Sequence, residues 1–155
     1  MSTQLQAAQS ELAADLRSEI NWFVPSGERH FVNPSTISTL AAVVMGMFFT
    51  AVIDGLKDSL KAEGKKAGKY LGDQIVKRVR SVISDKEEVD QAQVGKDAEA
   101  AKAKIKSADP AQATKVFDEV EAELSTALRE IMPERRAVKL ATRVRHVSVK
   151  VIYEA

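Results

Sequence analysis

The stretch NPSTISTLAAVVMGMFFTAVIDG, residues 33–55, carries no charge before Asp54. Extended back from Ile53 to Asn33, the uncharged run just spans a hydrocarbon layer about 30 Å thick. Its mean hydropathy is roughly 1.9 over 19 residues, within the range of membrane helices. Apolar residues cover every face, as in a helix surrounded by lipid or by a protein core. The stretch is therefore either a membrane span or the central helix of a soluble bundle, and the reading of the whole chain turns on it.

Asn33-Pro34-Ser35-Thr36 supplies a helix start, with proline suited to the first turn and polar side chains suited to capping. No strong breaker follows until Ser84-Asp85. An unbroken helix over 35–84 would be about 75 Å long. That is long for one domain of 155 residues, so a break is expected near Asp54-Gly55 or Gly64. The flanks are asymmetric: residues 1–33 hold two basic and four acidic side chains, whereas residues 54–80 hold Lys57, Lys61, Lys65, Lys66, Lys69, Lys77, Arg78 and Arg80. On the membrane reading, Ile37, Leu40, Val43, Val44, Met47, Phe48, Val52 and Ile53 insert. The positive-inside rule then places the C-terminal part in the cytoplasm. On the alternative reading the protein is cytoplasmic, and the helices at 3–20 and 110–131 cover the apolar helix.

Two patterns of small residues bear on self-association. Ser38, Ala42, Gly46 and Thr50 fall four apart and share a helix face, which lets helix backbones approach closely. Gly64, Gly68 and Gly72 form GxxxGxxxG within LKDSLKAEGKKAGKYLGDQIVKRVRSVI. Each glycine in a helix interior costs roughly 1 kcal/mol against alanine, so a close helix contact is expected to offset it. Lys65, Lys66 and Lys69 beside them suit contact with lipid phosphates. The layout of residues 33–84, one apolar helix running into a glycine-lysine helix, looks like that of small bacterial membrane-acting proteins such as holins and toxin or defence effectors. This resemblance of layout implies a membrane-associating, self-assembling, pore-forming or membrane-disrupting function. The alternative is a soluble oligomerising adaptor or scaffold.

The rest of the chain reads as mainly α with a minor β element. Leu5, Ala8, Leu12, Leu16 and Ile20 mark an amphipathic helix over 3–20. Trp22-Phe23-Val24 and His30-Phe31-Val32 flank Pro25-Ser26-Gly27-Glu28 and predict a short hairpin, which closes a first segment, 1–32. Residues 85–108 are polar and alanine-rich, a hinge or solvated helix with Gly95 as its natural break. Asp109-Pro110 opens the clearest helix, with Ala113, Val116, Phe117, Val120, Leu124, Ala127, Leu128 and Ile131 on one face. Alternation of Val147, Val149, Val151 and Tyr153 predicts a terminal strand that would pair with the hairpin. A protein partner could dock on this last segment, through residues 110–153.

Catalytic signatures are missing. The chain has no cysteine, which excludes thiolate catalysis and zinc-thiolate sites. Its two histidines, His30 and His146, lack metal-ligand spacing, although a strand pairing would bring them together beside Glu28. No phosphate-binding or dinucleotide glycine pattern and no nucleophile elbow occur. The expectation is a non-enzymatic protein with no catalytic residue, metal or cofactor. A formal charge of +1 argues against nucleic acid as a partner, which requires clustered positive surface. Asp54, ending the apolar run, marks where that helix meets water.

Overall fold

The computed structural model describes residues 3–24, 34–57, 66–84 and 89–154. Among these lie six α-helices: α1 (Thr3–Glu19), α2 (Pro34–Gly55), α3 (Lys69–Ile83), α4 (Gln91–Ser107), α5 (Pro110–Leu128) and α6 (Glu134–Tyr153). A 3-10 turn, Ile20–Trp22, follows α1.

The uncharged stretch is the hub of the bundle, because α2 packs against all five other helices. Ile37, Leu40, Val43, Val44, Met45, Met47, Phe48, Phe49 and Val52 are all buried. At about 2 kcal/mol per buried side chain, their removal from water contributes on the order of 20 kcal/mol. The surrounding helices are amphipathic and turn their stripes inward: Leu5, Leu12 and Leu16 from α1, Leu71, Ile75 and Val79 from α3, Val116, Val120 and Leu124 from α5. Phe117 of α5 stacks on Phe48 at 6.5 Å between centroids and meets Tyr153 of α6 edge-on at 6.2 Å. Arg145 lies over the Phe117 ring at 5.9 Å.

Charges set the direction of the outer helices. Arg136 pairs with Glu19 at 2.9 Å, Arg143 with Asp15 at 3.0 Å, and Lys150 with Glu11 at 3.8 Å. The reversed order of partners runs α6 antiparallel to α1. The Arg143 and Lys150 pairs each contribute no more than about 1 kcal/mol at their exposure and select orientation more than they add stability, whereas Glu19 is buried and its pair with Arg136 keeps that carboxylate from standing alone. The acidic side chains of α1 thus have a partner within the chain.

Local signals bound these elements, but the break expected at Gly95 does not form. The long helical run breaks at Gly55, where α2 stops. Asp109 caps α5 by accepting from the Ala111 amide at 2.9 Å, with Pro110 in the first turn. Asp90 caps α4 through the amides of Ala92 and Gln93. Helix α4 then continues through Gly95 and buries Val94, Ala98, Ala101 and Ile105.

The minor β element is not present: no strand occurs among the described residues. The proposed terminal strand is the second half of α6. Read alone, residues 147–153 alternate. Read from residue 137, the buried set is Ala137, Leu140, Ala141, Val144, Val147, Ser148, Val151 and Ile152, which follows the helical period. β-Branched residues cost only a few tenths of a kcal/mol each in a helix, and burial against α1, α2 and α5 outweighs that. Of the proposed hairpin, Trp22 sits in the 3-10 turn and Phe23 is buried just after it, while residues 25–33 lie outside the described residues.

Candidate functional site

Helices α3 and α4 both pack on α2 but scarcely touch each other. The gap between them is a cleft of about 600 Å³ whose floor is α2. Ala42, Val43, Gly46, Met47, Thr50 and Ala51 form the floor, with Val94 of α4 and Leu71 of α3 at its sides. Gly46 holds the floor low: a methyl group there would sit 3.5 Å from Val94 Cγ2, in ordinary contact. Thr50 turns its hydroxyl back onto its own helix, donating to the Gly46 carbonyl at 3.0 Å.

The rim is charged. Lys66, Lys69, Asp73 and Arg78 stand on the α3 side, Asp90, Gln93 and Asp97 on the α4 side, and Asp54 at the end of α2. Lys69 pairs with Asp73 at 3.3 Å and Lys57 with Asp54 at 3.2 Å. Asp97 accepts from the Gln93 side-chain amide at 3.0 Å. Tyr70 lines the mouth and is 69% exposed, the most exposed large hydrophobic side chain among the described residues.

An amphipathic site of this kind, apolar below and polar above, has the volume and lining that small-molecule pockets usually show. Several residues singled out in the sequence converge on it. Ala42, Gly46 and Thr50 of the small-residue face line it, as do Val43 and Met47 of the apolar set, together with Asp54, Lys66, Gly68 and Lys69. Ser38, the fourth small residue, is exposed outside it. Ile37, Leu40, Val44, Phe48 and Val52 are core residues away from the cleft, and Ile53 is half-buried against the core. Gly64, Lys65, Glu28 and His30 lie outside the described residues.

The glycines have a role inside the chain. Gly68 adopts φ +85°, and a Cβ on it would lie 2.8 Å from the Val120 Cα of α5. A Cβ on Gly72 would lie 3.1 Å from the Glu123 carbonyl oxygen. Gly55 likewise leaves no room, with Ala67 Cβ at 2.7 Å and Val116 Cγ1 at 2.8 Å. Glu119 of α5 also accepts from the Ala67 amide at 3.1 Å, which satisfies a free donor just before α3. The close contact at Gly68 and Gly72 is thus α3 on α5 of the same chain, and Gly68 stands at the left-handed N-cap of α3 rather than in a helix interior as the spacing predicts. A contact between copies through this face would have to break it.

His146 is exposed on α6, and the strand pairing that would have brought it to His30 is not formed. No group of three or more metal-ligating side chains occurs among the described residues. Sequence reasoning missed the cleft itself, along with Tyr70, Asp90, Gln93 and Asp97. Their only signal was Asp90, Gln93 and Asp97 spaced three and four apart on one face of α4, a pattern shared with any solvated helix. Comparison with protein-family models, curated proteins and solved structures finds no match to this chain.

Proposed function

We propose that the chain is a water-soluble helical-bundle binding module that receives an amphipathic small molecule in the cleft between α3 and α4. The observation that carries this reading is the sheath around α2. Lipid would accept the apolar side chains of α2 as readily as the protein core does, so hydropathy alone does not decide between them. The five covering helices favour the protein core. Withdrawing α2 into a bilayer would strip the cover from Leu12, Leu16, Leu71, Ile75, Val94 and Val120, all buried in the bundle. Among the described residues the cleft leaves this side of α2 open to a small ligand.

Two measurements test this. Protein expressed without detergent should remain in the soluble fraction and sediment as a 16.9 kDa monomer. Octyl glucoside, held below its micelle concentration, should raise the melting temperature of the wild type but not of Thr50→Phe. In that variant an exposed residue of the floor fills the cleft without entering the core. Recovery only from membranes, or an equal response of the two proteins, would sink the proposal.

One observation favours a second reading, membrane insertion and assembly. Helix α2 is 22 residues long, with a mean hydropathy of 2.0 in its most apolar window. On this reading the bundle is the stored form and lipid replaces the sheath. Dye release from vesicles by the wild-type protein, with α2 becoming protected from proteolysis, is the result it requires.

A further inference from the structure

We infer that the cleft selects an amphiphile with a cationic, ammonium-type head and an apolar tail. This deepens the binding reading above and rests on it. The floor fixes the tail, since Gly46, Ala42 and Ala51 leave space over α2 that only apolar groups fill without loss of hydrogen bonds.

The head is read from the mouth. Tyr70 offers an aromatic ring at 69% exposure. Such a ring beside carboxylates is the chemistry that recognises ammonium groups. Asp97 and Asp90 stand on the opposite wall, two helical turns apart, and neither has a cation partner among the described residues. Asp54 and Asp73 also stand at the rim, each already paired with a lysine. The cations that could oppose this are fewer. Lys69 is held by Asp73, and Arg78 has a partner of its own. Among the described lining residues Lys66 alone remains to favour an anion, and it is exposed. An ammonium head reaching Asp97 would add a charge-assisted contact beside the bond that carboxylate accepts from Gln93 at 3.0 Å.

The test uses three probes with the same ten-carbon tail below their micelle concentrations: decyltrimethylammonium, decylphosphocholine and decanoate. Titration calorimetry on the full chain should give the ammonium probe about tenfold tighter binding than decanoate. Asp97→Asn and Tyr70→Ala, both at exposed or half-exposed positions, should each weaken the ammonium probe several-fold and leave decanoate unchanged. Thr50→Phe should abolish all three. Equal affinities across the series would overturn the head assignment while leaving the cleft as an apolar site. Tighter binding of decanoate would overturn it in favour of Lys66. Failure of every probe, and of octyl glucoside, would overturn the binding reading itself. Melting curves of each variant without probe separate these outcomes from loss of fold.

Discussion

Replacing Gly68 by alanine tests whether the glycine-lysine segment folds onto its own chain. Gly68 sits at φ +85°, the left-handed region, where a side chain costs about 1–2 kcal/mol. Its new methyl would also lie 2.8 Å from the Val120 Cα. That neighbour is backbone inside α5 and cannot swing away, so α3 must lift off and lose part of its packing. A further loss of about 1–2 kcal/mol is reasonable for such overpacking. The total, about 3 kcal/mol, corresponds to a fall in melting temperature of roughly 6–12 °C for a chain of this size. Gly95→Ala is the control. Nothing lies within 4 Å of the added methyl, so it should gain up to about 1 kcal/mol of helix propensity. Calorimetric melts at two protein concentrations tenfold apart complete the assay. A contact within one chain predicts the same fall at both concentrations, whereas a contact between copies makes it depend on concentration. A Gly68→Ala variant as stable as wild type would refute the close approach of α3 to α5.

Three other outcomes are expected. Ser148→Ala should stabilise by about 1 kcal/mol, because the fully buried hydroxyl has no hydrogen-bond partner among the described residues; on the alternating strand that side chain would have faced water, and the change would be neutral in a denaturant titration. Asp109→Ala should cost about 1 kcal/mol through loss of the cap on α5, with Asp109→Asn retaining most of it in the same titration. Phe48→Ala should cost about 3–5 kcal/mol, since the ring is fully buried against Phe117, and a loss under 1 kcal/mol would mean α2 is not packed where described.

Local chemistry in the sequence was sufficient for part of this structure. Asp109-Pro110 and the stripe from Ala113 to Leu128 specify α5, because the capping carboxylate and the apolar period act within a few residues of one another. Helix α1 and the break at Gly55 were legible for the same reason. Residues 147–153 satisfy two periods at once, and only the upstream Ala137, Leu140 and Val144 break the tie. Whether α2 meets lipid or protein could not be read from its side chains, since both surroundings reward the same apolar surface. The sheath that surrounds it is spread over five helices from residue 5 to residue 152, and each stripe looks alike until it is assembled. The glycines show the same division. The spacing of Gly68 and Gly72 was visible in the sequence, but the α5 backbone at Val120 and Glu123 that both approach lies some fifty residues away, and the left-handed turn at Gly68 was not legible. The cleft belongs wholly to the tertiary structure. It exists because α3 and α4 pack on α2 without packing on each other, and no local pattern encodes a gap between elements that are distant along the chain.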